Sequence, residues 1–389
     1  MPKTLIIIVL LSAGLNASAQ RLVTKEQAME LALNNQRNLK AAGLNVQQQE
    51  ALLKGAAAPE SPELFVEATP YEPLIFGAQQ KISMPSVYRN RKSLQRERLR
   101  LAQLQLRGSE QELKREVRLS YLQLQYLAEK KRLLLFQDSI FREIKTAAHR
   151  FFEAGQINKL DELQAASQAD AVTNELYTTE GELKGEMQLL KFYLGIPDSL
   201  VTLPLQTEAF IPGGDSSVTN IRQQMLAQEI AIGESELKLQ RASLLPEIQA
   251  GVSFPTTNEY ERLVGFQLGI TVPLWLRQNR SRIAAAKAGV GVAKAQQELE
   301  SQRLIAEYGQ GLAVYRSGLQ SLAYYNNTAL PQARAIIETS QRLFNGGELN
   351  YIESLRNLES AFVIFFRHLE THRAFNETVI RLNYLNGTL

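Results

Sequence analysis

Few side chains in this sequence are suited to catalysis or metal binding. The 389 residues include three histidines and no cysteine, which excludes thiol catalysis, a thiolate metal site and a disulfide framework. His368 and His372 are four residues apart, a spacing at which two imidazoles on one helix face can share a metal ion. Their neighbours Arg367, Glu370 and Arg373 favour a solvated face instead. Because no Ser-His-Asp, metal-ligand or glycine-rich phosphate pattern is found, the sequence predicts no enzyme, no cofactor and no metal site.

The other candidate groups are carboxylates that follow two glycine-containing breaks in long helical patterns. Asp161 and Glu162 follow the break at Gly155, and Glu353 follows the break at Gly347. The two breaks correspond at an offset of 347 − 155 = 192 residues, and each carboxylate lies within one turn of a new helix. By themselves, such carboxylates are explained as solvated groups at helix starts.

These breaks separate helices of unusual length. The pattern of residues 89–150 contains no proline and predicts one amphipathic helix of 150 − 89 + 1 = 62 residues, about 93 Å long. A tip at 151–157 and a returning helix at 158–194 complete an antiparallel hairpin. A helix of this length must lie along a partner for its whole extent.

The second half of the chain repeats this order. A helix begins near Asn220, and a long helix at 282–342 contains Pro331, which should kink it because proline removes a backbone donor. The tip at 343–349 and a last helix at 350–386 follow. The sequence therefore predicts a mainly helical protein with a small β part, made of two repeats. The first repeat comprises 20–197, with a first helix from Lys25, and the second comprises 219–389, after a linker at 198–218.

Each repeat also contains two short strands, at 64–69 and 74–84 in the first and 247–254 and 264–272 in the second. In the last of these, apolar residues alternate with small or polar residues without an error. A soluble sandwich strand could have this pattern, but a transmembrane β-barrel strand also needs one apolar and one polar face. The polar positions that could line a barrel lumen are Gln79, Lys81, Gln249 and Gln267.

The N-terminal residues have the features of an export signal. Met-Pro-Lys precedes an apolar run, and Ala17-Ser18-Ala19 is a small-x-small cleavage site, so a signal peptide at 1–19 is predicted. The alternative, an N-terminal membrane anchor, is disfavoured because the apolar run is too short to span a bilayer. No later apolar stretch of that kind occurs, so any membrane insertion must use strands.

Four strands cannot close a membrane barrel alone, because an open sheet edge cannot be satisfied in lipid. Two copies of the chain would supply eight strands and three copies twelve. The polar face suits a water-filled lumen, which a twelve-stranded barrel can hold and an eight-stranded one hardly can. Three copies are therefore favoured, with the helices continuing the barrel as a tube. The net charge of +3 gives no indication of nucleic-acid binding.

The ordered set of motifs resembles the TolC-like outer membrane efflux proteins over essentially the whole mature chain. The resemblance rests on the opening helix at 23–33, on residues 265–275 with Asn279-Arg280, on Pro331 and on the two tips. It implies a homotrimer with a twelve-stranded transmembrane β-barrel and a long α-helical barrel. The trimer would be a passive duct in the outer membrane of a Gram-negative bacterium, in contact with its lipid and with the helices in the periplasm.

The resemblance also implies partners. The tips would dock on a periplasmic adaptor that joins an inner-membrane pump, most similar to the metal- and drug-exporting pumps of the resistance-nodulation-division type. The docking positions would be those around the two glycines, which also have a purely structural explanation as helix caps and packing residues. They are Arg150, Phe152, Gly155, Asn158, Arg342, Phe344, Gly347 and Asn350.

In the family, acidic residues near these tips ring the tunnel entrance, which would give Asp161, Glu162 and Glu353 a gating role. This chain departs from the family one turn further on, where Gln164 and Arg356 replace acids, so the ring would be thinner unless Glu162 takes the place of a missing acid. The two tip arginines could bridge to the acids or neutralise the C-terminal ends of their own helices.

Two rival functions remain open at the level of sequence. A periplasmic adaptor also contains a long helical hairpin, but it would have one hairpin flanked by β-rich domains, whereas this chain has two hairpins and four strands. A duct for secreted proteins, as in type I secretion, would have the same architecture as a duct for metal ions or drugs.

Overall fold

The computed structural model describes residues 21–35, 37–69, 72–197, 200–212, 220–256, 264–273 and 276–389. The predicted signal peptide at 1–19 lies outside the described residues. The fold is mainly helical with a small sheet part, as predicted. Its strands are β1 Arg21–Val23, β2 Glu63–Thr69, β3 Glu72–Ile82, β4 Leu200–Thr202, β5 Glu247–Pro255 and β6 Gly265–Thr271. Its helices are α1 Lys25–Asn35, α2 Arg37–Gly55, α3 Pro85–Glu153, α4 Lys159–Leu194, α5 Ile221–Ala242, α6 Leu276–Tyr324, α7 Leu330–Asn345 and α8 Tyr351–Leu385.

The chain divides into two compact units, each assembled from three segments. The first, here called the helical unit, comprises the described residues up to 35 and residues 117–206 and 325–373. The second, the sheet unit, comprises the described residues of 36–116, 207–324 and 374–389. Helix α3 has 69 residues, which corresponds to about 100 Å of helix, and contributes to both units.

The helical unit is held together by one apolar core. Residues of α3, α4, α7 and α8 form it, with Phe141 and Phe362 each 1% exposed at its centre. The Phe362 ring packs edge-on against Phe136 and Phe141, with ring centres 5.6 and 6.1 Å apart. Because aromatic side chains contribute the largest buried apolar areas, this cluster is a main source of the unit's stability.

The first strand of the helical unit pairs with a segment that was predicted to be a linker. Strands β1 and β4 are parallel, with Val23 opposite Thr202. The Tyr121 hydroxyl donates to the Val23 carbonyl at 2.9 Å and accepts from the Leu203 amide at 3.0 Å. The part of the predicted linker 198–218 around Leu200–Thr202 is therefore a strand, because its backbone finds partners on β1 and α3.

The next described part of the same predicted linker is tied to the sheet unit. Asn376 accepts a hydrogen bond from the Glu208 amide at 2.9 Å, and Asn383 accepts one from the Ile211 amide at 3.0 Å. Both asparagines are fully or almost fully buried in α8. The segment is thus fixed by buried side chains more than 160 residues away in the sequence, which sequence pattern could not show.

The long helix predicted at 282–342 is interrupted just before Pro331. Tyr325–Ala329 form a π-helical turn between α6 and α7, and the proline lies in the first turn of α7. Pro331 has no amide hydrogen for the carbonyl of Asn327, and its ring crowds that carbonyl, so a regular α-helical turn cannot pass through this point. The first predicted helix corresponds to α1 and α2, and residue 36 between them lies outside the described residues.

The sheet unit contains one antiparallel sheet with strand order β2-β3-β5-β6. Strands β3 and β5 are its central pair, with Phe76 opposite Phe254 and Ile82 opposite Ile248. Within the described residues, the outer edges of β2 and β6 have no strand partner. The sheet is therefore open on both sides.

Candidate functional site

One face of the four-stranded sheet is apolar and exposed. On β6, Phe266 is 86%, Leu268 78% and Ile270 68% exposed. The register places Val252 opposite Phe266 and Ala250 opposite Leu268, so the neighbouring strand continues the same face. Isolated exposed apolar side chains are ordinary on proteins, but a contiguous patch of this kind indicates contact with another protein or with a membrane.

The opposite face of the sheet carries the four residues predicted to line a lumen. Gln79 and Lys81 on β3, Gln249 on β5 and Gln267 on β6 all lie on this face, since Gly251 is opposite both Gln79 and Gln267. The Gln249 amide donates to the Gln79 side-chain oxygen at 2.5 Å. The structure thus brings the predicted residues together on one polar surface, and their contact with water in a pore stays a prediction.

Glu63 extends this polar face onto β2 and was not among the predicted residues. Its carboxylate accepts a hydrogen bond from the Gln79 amide at 2.8 Å. A run of polar side chains therefore crosses three strands, from Glu63 through Gln79 to Gln249. The signal that could have identified Glu63 is its alternation with the apolar Leu64 and Val66, which lie on the other face of the strand.

The two hairpin tips have the same backbone hydrogen bonds. Gly155 and Gly347 have φ angles of 69° and 73°, in the left-handed region that glycine adopts without strain. In each tip the glycine amide donates three residues back, to Phe152 and Phe344, and the following amide donates five residues back. These bonds satisfy the last carbonyls of α3 and α7, so both glycines end a helix in a Schellman motif.

The helices that leave the tips also begin in the same way. Asn158 accepts a hydrogen bond from the Asp161 amide at 3.0 Å, and Asn350 accepts one from the Glu353 amide at 2.9 Å. An asparagine at this position satisfies an otherwise free amide in the first turn. The tips are therefore capped by hydrogen bonds at both ends, and the acidic residues are placed in the first turn of each returning helix.

At the first tip, Glu162 is held by two basic side chains. His149 Nδ1 lies 2.7 Å from one carboxylate oxygen, and Lys159 Nζ contacts the other. Hydrogen bonds from Lys159 and His149 lower the pKa of Glu162, and the bond to Glu162 together with the charge of Glu153 raises the pKa of His149.

The sign of the pH dependence follows from these shifts. Stabilisation by His149 is complete below its ordinary pKa of 6.5 and is lost as the pH rises through its raised pKa. Stabilisation by Glu162 is complete above its ordinary pKa of 4.5 and is lost as the pH falls through its lowered pKa. Both residues therefore contribute their full stabilisation between about pH 4.5 and 6.5.

The other two predicted gate acids have different environments. Asp161 lies close to Tyr351, and burial of that phenol, together with the Asp161 charge, raises the pKa of Tyr351 to about 12. No ion pair of Glu353 is present among the described residues. The structure thus pairs Glu162 within the chain and places Asp161 near Tyr351. Glu353 is exposed and has no ion pair among the described residues.

Among the described residues, neither tip arginine forms an ion pair with these acids. Arg150 and Arg342 lie in the last turns of α3 and α7, and no ion pair of either is present in the part of the chain that the structure describes. Of the two predicted alternatives, the structure favours the one in which each arginine neutralises the C-terminal end of its own helix.

The tip phenylalanines differ between the two halves. Phe344 packs against the core of the helical unit. Phe152 is partly buried, and Lys159 Nζ lies 4.8 Å from the centre of its ring. The two tips therefore share their backbone bonds but present different side-chain surfaces.

The two neighbouring histidines are not on a solvated face, contrary to the expectation from their charged neighbours. His368 and His372 are half-buried and line a cavity with a volume of about 560 Å³ in the helical unit. Arg367 and Glu370 are exposed, and Arg373 stacks on Tyr126 at 5.1 Å.

The described residues contain no group of three or more histidine, cysteine or acidic side chains arranged to hold a metal ion. Among the described helices, none is long and apolar enough to cross a membrane.

Comparison with solved structures identifies the fold. No protein-family model matches the sequence, and no curated protein is significantly similar to it. A solved structure of CusC, from work on its folding and transmembrane channel formation, shares 17% identity with a TM-score of 0.80, covering 93% of this chain and 91% of that one. The outer-membrane channel OprN shares 15% identity with a TM-score of 0.81, covering 94% and 90%. The CmeC outer membrane channel of Campylobacter jejuni shares 14% identity with a TM-score of 0.79, covering 94% and 85%.

These similarities extend over nearly the whole of each chain. The identities are low, so the similarities show the fold alone. This fold is that of outer membrane channels, and it matches the TolC-like architecture suggested by the sequence motifs.

Proposed function

We propose that this chain is one subunit of a trimeric outer membrane channel of the TolC-like type, a passive exit duct of a tripartite efflux system. It would carry small molecules, either metal ions or drugs, from the periplasm or an inner-membrane pump to the outside. The shared fold with outer membrane channels supports this proposal. These neighbours are channels and not enzymes, which supports the prediction of a non-enzymatic protein.

The observation that carries the proposal is the two-faced sheet with open edges. Phe266, Leu268 and Ile270 expose one apolar face, whereas Gln79 and Gln249 lie on a polar face. Such a sheet is suited to lie between lipid and water. In lipid, however, the unpaired edges of β2 and β6 would leave backbone groups without partners, so further strands must close the sheet.

The number of copies follows from the lumen. Each chain supplies four strands, so two copies would give a barrel whose interior side chains nearly fill. Three copies give twelve strands and room for water next to the polar face. A trimer is therefore the smallest assembly consistent with a conducting pore.

The tips provide the proposed contact with a periplasmic adaptor, which would join the duct to an inner-membrane pump of the resistance-nodulation-division type. Gly155 and Gly347 hold the tips in compact turns, and Phe152 with Lys159 offers a partly exposed surface at the first tip. Cross-linking from cysteines introduced at the tips tests this contact, because the chain has no cysteine of its own. Cross-linking that captures no periplasmic protein in the native host would count against docking.

Two other functions were left open by the sequence. A type I secretion duct would have the same barrel but would conduct an unfolded polypeptide, and no observation on this chain favours that cargo. A periplasmic adaptor is disfavoured, because the fold is shared with channels over more than 90% of this chain. The fold also places two helical hairpins in one chain.

The proposed assembly is tested with the detergent-purified protein. We expect a protein mass of three chains, after correction for detergent, and stepwise cation-conducting channels when the protein is added to planar lipid bilayers. A monomer that stays monodisperse in buffer without detergent and produces no conductance would overturn the proposal. A trimer without conductance would retain the assembly but contradict an open duct.

The acidic residues of the tips are proposed to narrow the periplasmic entrance. Replacing Asp161 by asparagine and Glu353 by glutamine in the same chain should raise the conductance of the closed channel, because both changes remove charge at the start of the returning helices. Glu348→Gln is the matched control, since this exposed tip acid lies outside the proposed gate. Equal conductance of the double variant and the control in planar bilayers would rule out the acidic gate.

A further inference from the structure

A row of exposed isoleucines marks the end of the sheet's apolar face next to the helices. Ile82, Ile248 and Ile270 lie opposite one another on β3, β5 and β6, and they are 42%, 37% and 68% exposed. On this side of the sheet, β3 leads into α3 and β6 leads into α6. Where the apolar face contacts acyl chains, the residues that follow this row lie at the depth of the lipid headgroups.

The first charged residue after the isoleucine row is an arginine in both halves of the chain. Arg89 comes seven residues after the isoleucine of β3, and Arg277 comes seven residues after that of β6, by 89 − 82 and 277 − 270. Lys92, three positions later, completes a first basic pair with Arg89. Arg280 completes a second basic pair with Arg277 in the same way. The repeat therefore places two positive charges at the same distance from the apolar face in each half.

All four side chains of the two basic pairs are exposed, and none forms an ion pair with a described residue. Residues three apart lie on the same face of a helix, so each pair presents its two charges side by side. Other arginines of α3 are neutralised, since Arg91 lies 3.4 Å from Glu60 and Arg100 lies 2.9 Å from Glu97. The charges of the two basic pairs are therefore available to an anionic partner.

The first turns of α3 and α6 add to this positive charge. The free amide groups at the start of a helix carry a partial positive charge, which favours acidic side chains there. Neither α3 nor α6 has an acidic residue in its first turn. Both helix starts next to the sheet are therefore suited to a negatively charged group from outside the chain.

The first basic pair lies on the side of α3 that would face outward in a tube of helices. Gln95 of α3 donates to Gln49 of α2 at 2.8 Å, and Glu97 of α3 accepts from Gln228 of α5 at 2.8 Å. With about 100° of rotation per residue, these two contacts divide the circumference of α3 into arcs of about 200° and 160°. Both members of the pair lie on the wider arc, which is the outer one when helices close into a tube.

We propose that the first and second basic pairs each bind the phosphate group of an anionic phospholipid, in the membrane leaflet next to the helices. This inference rests on the proposed function, since the sheet must lie in the outer membrane for a leaflet to reach these residues. Arginine and lysine donate charge-assisted hydrogen bonds to phosphate, and their long side chains extend toward the headgroup layer at a membrane surface. Each chain would bind two such lipids, one in each half of the repeat.

The single tryptophan of the chain allows lipid binding to be measured on the full mature protein in detergent. Trp275 is two residues before Arg277 in the sequence, so a brominated lipid held by the second basic pair should quench its fluorescence. The probes are dibrominated phosphatidylglycerol and dibrominated phosphatidylcholine, each added in mixed micelles. The variants are R277Q/R280Q and the charge-retaining R277K/R280K. The matched control is R107Q/R316Q, which removes two exposed arginines far along α3 and α6.

We expect the parent to bind phosphatidylglycerol more tightly than phosphatidylcholine, because each basic residue near an anionic lipid surface strengthens binding by about fivefold. R277Q/R280Q should lose most of this preference, whereas R277K/R280K and R107Q/R316Q should retain it. Raising the salt concentration should reduce the preference of the parent, since salt screens exposed charges. Equal quenching by the two lipids in the parent would overturn the proposal without reference to any variant.

Mass spectrometry of the protein with its bound lipids tests the first basic pair. We expect two anionic phospholipids per chain in the parent and one in R89Q/K92Q. Equal lipid counts in these two proteins, or lipopolysaccharide in place of phospholipid, would overturn the proposal. An altered ion selectivity of R89Q/K92Q in planar bilayers, with unchanged lipid binding, would place the pair in the lumen and would also overturn it.

The lipid sites and the proposed function can fail separately. A conducting trimer without a preference for anionic phospholipid would overturn this inference alone. A soluble monomer without conductance would overturn the proposed function, and the lipid sites with it.

Discussion

Replacing Leu268 by arginine is expected to prevent stable insertion of the protein into the outer membrane. Leu268 lies in the middle of β6 on the apolar face and is 78% exposed. An arginine facing lipid near the centre of the bilayer costs about 2–4 kcal/mol. In the proposed trimer this cost arises three times, which is comparable with the whole stability of many folded domains.

The neighbouring residue provides a matched control. Gln267 lies on the opposite face of the same strand, so Q267R introduces the same side chain one position away, directed toward the polar surface. We expect L268R to be recovered in the soluble or aggregated fraction and Q267R in the outer membrane, as measured by membrane fractionation. Equal recovery of the two variants in the outer membrane would show that the apolar face does not contact lipid.

The strands were predictable from sequence because their two faces differ in residue type. Alternation along β6 is without error, since Phe266, Leu268 and Ile270 are all on the exposed apolar side. Gln80 is the exception on β3, and the structure explains it. Its amide donates to the carbonyl of Glu60 and, at 3.2 Å, to that of Lys81. A polar side chain is tolerated there because two backbone carbonyl groups accept hydrogen bonds from its amide.

The tips were also predictable in outline, because glycine, asparagine and carboxylate occur at fixed spacing. The backbone bonds at Gly155 and Gly347 follow from the residue types alone. The side-chain contacts do not, since His149 reaches Glu162 across the turn and Asp161 approaches Tyr351 on another helix. Such contacts depend on how helices pack, and no local pattern encodes them.

The features that sequence reasoning missed join residues far apart in the chain. Strand β4 requires β1 as its partner, 179 positions earlier by 200 − 21, and three residues are too few to show a periodicity. The burial of His368 and His372 likewise depends on α3 and α7, which cover one side of α8. Charged neighbours in sequence indicated a solvated helix, but they lie on a different side of it.

Truncating Phe362 to alanine is expected to produce the largest loss of stability in the helical unit. The side chain is 1% exposed and its ring packs against Phe136 and Phe141. Removing a buried phenylalanine costs about 3–5 kcal/mol through lost apolar burial and the cavity that remains. For a unit of this size that corresponds to a fall in melting temperature of roughly 6–20 °C.

The adjacent Val363 supplies the comparison, because it is 43% exposed on the same helix and V363A removes apolar atoms without opening a core cavity. Thermal unfolding of both variants in detergent, followed by circular dichroism at a helical wavelength, measures the difference. We expect F362A to melt well below V363A, with V363A close to the parent. Equal melting temperatures would mean that the aromatic cluster does not hold α8 to α3, and the tips that these helices position would then need another source of rigidity.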